Sequence, residues 1–124
     1  MIRVLVVDDQ ELVRAGLVTV LETRAGIEVV GEAADGVDAI EQVRLHRPDL
    51  VLMDINMPVL DGLETAESLR AHVPPATLRI VALTGCESQM KRERMHAFCD
   101  DVLQKPCAPE LITSRIQSLI GKSS

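Results

Sequence analysis

Residues 49–54 read Asp-Leu-Val-Leu-Met-Asp, a short apolar run that ends in a carboxylate. The run from Asp49 to Met53 has the length and the continuous apolar character of a strand buried on both faces, as in a parallel sheet. Asp54 follows directly, where such a strand would end. Parallel strands end side by side at one edge of their sheet, and ligands bind at that edge. Asp54 is therefore the first candidate for a functional residue.

Three other segments repeat this pattern of an apolar run followed by a polar residue. They are Ile2 to Val7 before Asp8-Asp9, Leu78 to Leu83 before Thr84, and Val102 to Gln104 before Lys105. A fifth predicted strand runs from Ile27 to Ala33 and lacks such an ending.

Segments with apolar residues at helical spacing lie between these strands. One begins at Glu11 and has Gly26 as its predicted stop, and the others are predicted over residues 37–46, 63–72, 88–98 and 109–120. Pro48 is expected to stop the second helix. The alternation predicts an α/β fold: a doubly wound, parallel five-stranded sheet of the flavodoxin-like (βα)5 type, with strand order 2-1-3-4-5.

In that strand order the binding crevice lies between the first and third strands, which end in Asp8-Asp9 and Asp54. Two carboxylates about 5 Å apart repel by roughly 3 kcal/mol at an effective dielectric of 20, so three of them favour a bound cation. Mg²⁺ suits a few carboxylates together with water and phosphate oxygens. Lys105 and Thr84 would add an ammonium and a hydroxyl for a phosphoryl group. The pattern predicts magnesium-dependent phosphoryl transfer with a carboxylate nucleophile.

Each of these pieces has an ordinary structural interpretation when taken alone. Asp8-Asp9 and Asp54 can be turn residues, Thr84 can end a strand, and Lys105 can be a solvated lysine. The functional interpretation depends on four complementary strand ends meeting in one crevice.

Composition narrows the class of protein. The 124 residues suit one domain, and a net charge of -6 argues against direct nucleic-acid binding. No apolar run approaches the length of a membrane span. The three cysteines have no CxxC spacing, which is typical of reduced cysteines in a cytoplasmic protein, and no secretory leader pattern precedes the first strand.

Five motifs in this order resemble the receiver domain of two-component response regulators. They are Val-Val-Asp8-Asp9, Val-Leu-Met-Asp54-Ile-Asn-Met-Pro58, Leu-Asp61-Gly62, Ala-Leu-Thr84-Gly and Leu-Gln-Lys105-Pro106. The resemblance covers essentially the whole chain, so residues 1–121 are predicted to form the receiver domain and residues 122–124 a tail or the start of a linker.

The resemblance implies a role for each residue of the crevice. Asp54 would be the phospho-acceptor, and Asp8 and Asp9 would hold Mg²⁺ together with Asp54 and the backbone carbonyl of Asn56. Thr84 and Lys105 would bind the phosphoryl group. The domain would not be an enzyme in the usual sense, but would assist its own phosphorylation and dephosphorylation.

Further roles follow from the same resemblance. The Lys105–Pro106 peptide bond would be cis, and Asn56 and Cys86 would tune hydrolysis of the phosphorylated state. A histidine kinase or a phosphotransfer protein would supply the phosphoryl group and dock on the first helix and the loop after the fifth strand. Its candidate contacts are Leu12, Val13, Gly16 and Pro106. The face formed by residues 88–120 would change its affinity for a downstream domain or protein, and the chain would be a monomer that can dimerise when phosphorylated.

One position departs from the family pattern. Receivers commonly have Tyr or Phe three residues before the lysine, where this chain has Val102. The ring normally swings inward as the threonine moves, and valine has no ring to swing. Signalling here would use shifts of helices and loops, or Phe98 would substitute in part as a movable ring, although plain core packing is the simpler interpretation of Phe98.

Two other functions fit parts of the pattern. A receiver-like interaction module that is never phosphorylated would explain Val102, but the complete acidic set with Thr84 and Lys105 argues against it. A small phosphatase with an aspartyl nucleophile would need a second acid two residues after the first, and here Asn56 occupies that position after Asp54.

Overall fold

The computed structural model describes residues 1–57, 61–74, 76–85, 89–105 and 107–121. Within these ranges, strands and helices alternate along the chain in the order β1 Ile2–Val7, α1 Glu11–Glu22, β2 Ile27–Ala33, α2 Gly36–His46, β3 Leu50–Asp54, α3 Gly62–His72, β4 Arg79–Thr84, α4 Gln89–Phe98, β5 Asp101–Gln104 and α5 Pro109–Gly121. The strands form one sheet in the order β2-β1-β3-β4-β5, and every pairing in it is parallel. The predicted doubly wound α/β fold and its strand order are confirmed.

The three central strands β1, β3 and β4 are buried on both faces along most of their length, which explains their continuous apolar runs in the sequence. Leu5 and Val7 of β1 pack into a core shared with α2, α3 and α4. Val4 and Val6 pack on the opposite face, in a core shared with α1 and α5. The alternate residues of one strand therefore contribute to two different hydrophobic layers, and a shift of register by one residue would exchange them.

Most predicted boundaries lie within one residue of the observed ones. β3 and β4 each start and end one residue later than predicted, so that Asp54 and Thr84 are the last residues of their strands. β5 begins one residue earlier than predicted, at Asp101, and α5 ends one residue later. The predicted start of the fourth helix, Ser88, lies outside the described residues.

Helices α2 and α3 each begin one residue earlier than predicted, because an aspartate caps each of them. The side chain of Asp35 accepts from the backbone N–H of Asp38 at 2.8 Å. Asp61 and Glu64 form a reciprocal capping box at the start of α3. Both Asp-Gly pairs, Asp35-Gly36 and Asp61-Gly62, therefore form helix N-termini.

The predicted stop of the first helix at Gly26 is wrong. Helix α1 ends at Glu22, where the backbone N–H of Thr23 bonds to the carbonyls of Val20 and Leu21. Gly26 has a φ of 90° and lies in the turn before β2, where its carbonyl accepts from Ile2 N at 2.6 Å. The left-handed backbone that favours glycine serves this turn and not the helix terminus.

The N-terminus of α3 lies directly against the end of β3, and Gly62 makes this approach possible. A Cβ atom added at Gly62 would lie 2.6 Å from the carbonyl oxygen of Asp54 and 2.7 Å from the Cα of Ile55. Both are backbone atoms of the strand end, which cannot move aside without displacing Asp54.

Gly62→Ala should therefore destabilise the fold by about 1–3 kcal/mol through overpacking. The matched control is Gly16→Ala in the exposed middle of α1, where an added Cβ meets nothing within 4 Å; it should stabilise by about 0.5–1 kcal/mol. Urea denaturation of both variants measures the two changes. Equal and small changes in both variants would show that the contact at Gly62 is not a constraint.

Candidate functional site

The register of the sheet brings the predicted strand ends together. Val7 pairs with Met53, Asp54 pairs with Leu83, and Thr84 pairs with Gln104. The residues that follow or close these strands therefore meet at one edge of the sheet. Carboxylate oxygens of Asp8, Asp9 and Asp54 lie within 4.8 Å of one another.

Asp54 is held at the centre of this group. Its side chain is buried, with 5% of it exposed, and Lys105 Nζ donates to its Oδ1 at 2.9 Å. The backbone N–H of Asn56 donates to the same oxygen at 3.2 Å. The ammonium and the amide therefore hold one oxygen of the Asp54 carboxylate in place, each as a hydrogen-bond donor.

Asp8 is completely buried, and its carboxylate is unevenly satisfied. Oδ1 accepts from the backbone N–H of Gln10 at 2.8 Å, whereas Oδ2 is buried without a hydrogen-bond partner among the described residues. Burial raises the pKa of Asp8, with Asp54 and Asp9 adding to the rise and the Gln10 N–H and Lys105 opposing it. A buried carboxylate oxygen without a partner is the place for a bound cation.

Thr84 presents a second unsatisfied group at this edge. Thr84 is 1% exposed. Its Oγ1 is buried and has no hydrogen-bond partner in the described part of the chain. A hydroxyl can donate one hydrogen bond. An oxyanion bound beside Asp54 would supply the missing acceptor.

The donor set fits Mg²⁺. Three carboxylates offer hard oxygen ligands, and an orphaned buried oxygen of Asp8 is among them. No histidine or cysteine belongs to the cluster found among the described residues, which argues against a site for zinc. The described residues therefore form an acidic pocket whose ligand set suits Mg²⁺.

The structure does not test the predicted roles of several other site residues. Asn56 follows β3 and is exposed, and the ligand role of its carbonyl stays a prediction. Cys86 and Pro106 lie outside the described residues, so the tuning role of Cys86 and the cis peptide bond also stay predictions. Val102 and Phe98 are partly buried and pack against the core shared by α2, α3 and α4. This packing favours the simpler interpretation of Phe98.

Two arginines near the sheet ends were not singled out from the sequence. Arg14 on α1 donates from Nη1 to the carbonyl oxygen of Asp8 at 2.7 Å. Arg70 on α3 donates to the carboxylate of Asp100 at 2.5 Å and to the carbonyl of Phe98 at 3.0 Å. Asp100 is therefore a partner in a nearly buried ion pair.

Arg14 had a detectable signal. Leu12 and Val13 belong to the helically spaced apolar residues of α1, yet both are exposed, Leu12 at 88%. The face that packs on the sheet carries Leu17, Val18 and Leu21. Arg14 precedes Leu17 and Val18 by three and four residues, which places it on the same inward face.

The opposite end of the sheet carries a different feature. A cleft of about 780 Å³ lies between the C-terminal ends of α2 and α3, lined in part by Val43, Arg44, Val73 and Leu78. Charged groups that line this cleft already have partners within the protein. Arg44 pairs with Glu41 at 3.4 Å, and Asp49 accepts from Arg3 N at 2.9 Å. The convergent acidic and basic groups are at the carboxyl edge, not at this cleft.

The described residues include no helix with the length and apolar character needed to cross a bilayer.

The fold is a parallel (βα)5 sheet. Three aspartates lie at the carboxyl ends of its strands, and a lysine pairs with the central one, Asp54. Together these features are those of a receiver domain. The family model for the response regulator receiver domain matches residues 4–117. The chain therefore belongs to the response regulator receiver family, as the sequence motifs predicted.

Two curated relatives and one solved structure illustrate the similarity. The response regulator UvrY of Escherichia coli strain K12 is 42% identical over 120 residues, which are 96% of this chain and 54% of UvrY. A protein-glutamate methylesterase/protein-glutamine glutaminase of Myxococcus xanthus is 39% identical over 98% of this chain and 34% of that protein. The response regulator domain of Thermotoga maritima CheB superposes with a TM-score of 0.86 at 26% identity, covering 98% of this chain and 97% of that domain. The chain thus spans about half of UvrY and a third of the methylesterase.

Asp8→Asn should stabilise the metal-free protein at pH 7 by roughly 1–3 kcal/mol, because it removes a buried charge that two neighbouring carboxylates repel. The pKa of Asp8 is raised in the fold, so the folded state binds this proton more tightly than the unfolded chain does. The wild-type penalty is accordingly absent below the ordinary pKa of 3.8 and develops as pH rises through the raised value.

Urea denaturation with a chelator present, at pH 7 and at the lowest pH where both proteins fold, measures this difference. Asp38→Asn on α2 is the control for loss of one carboxylate. A destabilised Asp8→Asn variant at pH 7 would contradict a strained acidic pocket.

Proposed function

We propose that this domain is the phospho-acceptor switch of a two-component system. A histidine kinase or a phosphotransfer protein donates a phosphoryl group to Asp54. The observation that carries the proposal is the buried carboxylate of Asp54, paired with Lys105 at 2.9 Å beside two further carboxylates. Next to them lies a Thr84 hydroxyl that has no partner among the described residues.

The geometry supports a direct transfer. Asp54 Oδ1 already accepts from Lys105 and from the N–H of Asn56, which leaves Oδ2 as the attacking oxygen. Oδ2 forms a bond to phosphorus, the bond from phosphorus to the donor's imidazole nitrogen breaks, and the electron pair stays on that nitrogen. Phosphoryl transfer needs positioning and charge neutralisation more than further covalent chemistry, and this site supplies both.

The polar groups around Asp54 gain partners on transfer. Lys105 can turn its ammonium from the carboxylate to a phosphoryl oxygen, and Thr84 Oγ1 can donate its unused hydrogen bond to another. Asp8, Asp9, Asp54 and the carbonyl of Asn56 would hold Mg²⁺, which would neutralise phosphoryl charge when bound. The exposed side chain of Asn56 borders the site and, with Cys86, would tune access of the hydrolytic water.

The signal would leave through the α4-β5-α5 face. Lys105 follows β5, and its backbone N–H donates to the carbonyl of Thr84 at 2.7 Å. A movement of either residue toward a phosphoryl group would therefore displace both strand ends next to α4 and α5. The partner would be an output domain or another protein, since the net charge of -6 disfavours nucleic acid. The domain would act as a monomer that can dimerise on phosphorylation.

The kinase would dock on the exposed part of α1. Leu12 is 88% exposed and Val13 is 40% exposed, on the helix that begins just after Asp9. Exposed apolar residues beside the acceptor site fit a docking surface for the phosphoryl donor.

Incubation with acetyl phosphate and Mg²⁺ should add one phosphoryl group, which peptide mapping should place on Asp54 and which alkali should remove. Asp54→Asn should lose this adduct, because an amide oxygen is a poor nucleophile, and a chelator should prevent it in the wild type. Intact mass measures all three, with Asp38→Asn as the control for a carboxylate outside the site.

An adduct of the same yield in Asp54→Asn would defeat the assignment of the acceptor. Full labelling with the chelator would defeat the metal role. A folded wild type that stays unlabelled, by a kinase as well as by acetyl phosphate, would favour the interaction module that is never phosphorylated.

Val102→Ala should leave the phosphorylation response largely intact, because no aromatic ring moves at this position. It should cost about 1 kcal/mol of stability from lost packing. Hydrogen exchange of α4 and α5 with and without the phosphoryl group measures the response. Loss of the response at unchanged labelling would show that Val102 relays the signal.

A further inference from the structure

Arg14 on α1 contacts the main chain at Asp8-Asp9 and has no role in the phosphoryl transfer proposed for this site. Its Nη1 donates to the carbonyl oxygen of Asp8 at 2.7 Å, and its Nε donates to Glu32 Oε1 at 3.0 Å. Its side chain is only 17% exposed. Glu32 belongs to β2, so this one guanidinium ties α1 to the ends of both β1 and β2.

The contacts of Arg14 complete the support of Asp8. The backbone N–H of Asp8 donates to the carbonyl of Ala33 at 3.0 Å, and its Oδ1 accepts from Gln10 N. Gln10 is itself tied to α1, since its carbonyl accepts from Arg14 N at 2.9 Å. With the Arg14 bond to its carbonyl, Asp8 has a partner at every polar atom but Oδ2 within the described chain. This is the oxygen left for a cation.

The same bond also bears on Asp9. Asp9 is exposed, and its carboxylate has no hydrogen bond within the described chain. The peptide group between Asp8 and Asp9 is planar and contains Asp9 N and Cα, so a bond to the Asp8 carbonyl helps to hold the main chain from which the Asp9 side chain projects. Arg14 therefore supports the main chain that carries two of the three carboxylates.

We propose that Arg14, held in place by Glu32, is a positioning residue that sets the Mg²⁺ affinity of the acidic pocket; this rests on the proposed function. Positioning and plain charge predict opposite signs. A cation near three carboxylates repels Mg²⁺, so removing its charge alone would tighten binding. Removing a partner that orients the ligands weakens binding, commonly by 10- to 100-fold for outer-shell groups.

The test is the dissociation constant for Mg²⁺ of the unphosphorylated 124-residue chain, measured by calorimetric titration. Arg14→Gln should weaken binding about tenfold. Arg14→Lys should also weaken it, because an ammonium keeps the charge but cannot bridge two acceptors with the planar fork of a guanidinium.

Two further variants complete the set. Glu32→Gln keeps Arg14 but removes the charge of its anchor, and should weaken binding about threefold. Arg44→Gln is the matched control, since Arg44 forms an exposed ion pair with Glu41 away from the site. It should change the constant less than about twofold. Urea denaturation without Mg²⁺ reports separately whether each variant is folded.

Equal or tighter binding in folded Arg14→Gln overturns the proposal, as does wild-type affinity in Arg14→Lys. If Arg14→Gln does not fold, Arg14→Lys decides, because it keeps the charge and loses only the planar fork of the guanidinium. A wild type that binds no Mg²⁺ defeats the metal role in the proposed function and this inference with it. If the wild type binds Mg²⁺ and the Arg14 variants bind it with the same dissociation constant, this inference fails and the proposed function stands.

Discussion

The repulsion among three carboxylates at one edge of the sheet is the constraint on which the rest of the structure depends. Their oxygens lie within 4.8 Å of one another, and two of the residues are buried. Two unit charges 4 Å apart repel by about 4 kcal/mol at a dielectric of 20. The three carboxylates would therefore move apart unless the fold held them in place. The ammonium of Lys105 offsets part of the repulsion at Asp54. The remaining repulsion is a strain that a bound cation would relieve.

That support is mostly backbone. Strands buried on both faces fix the positions of Asp8 and Asp54, and the register of β1 with β3 keeps them adjacent. Gly62 lets the start of α3 lie against the carbonyl of Asp54, and Asp61 caps that same helix. Because these contacts are made by main-chain atoms, the backbones of Asp8 and Asp54 have little freedom to move apart. The fold thus holds the two buried carboxylates close together against their repulsion.

The sequence predicted the parts of the site that are local and missed those that join distant segments. An apolar run with a polar end is visible within six residues, which is why Asp54, Thr84 and Lys105 could be placed at strand ends. The Arg70–Asp100 ion pair joins residues 30 apart, and no spacing rule connects them. Arg14 was not singled out because Leu12 and Val13 share the helical spacing of the residues that α1 buries. That spacing made the exposed pair resemble part of the buried face. Helix starts were misplaced by one residue where an Asp-Gly pair suited a turn and a cap equally well.

With Val102 in place of an aromatic ring, the proposed switch would depend on the main chain to carry its signal. The backbone N–H of Lys105 donates to the carbonyl of Thr84, so a movement of one strand end would be passed to the other. At the C-terminal end of α4, Arg70 of α3 donates to the carbonyl of Phe98 and to the carboxylate of Asp100. Near the N-terminal end of α4, Lys91 lies 3.9 Å from Asp61 at the start of α3. Both ends of α4 are therefore in contact with α3, and a shift of the strand ends would have to move the two helices together or break one of these contacts.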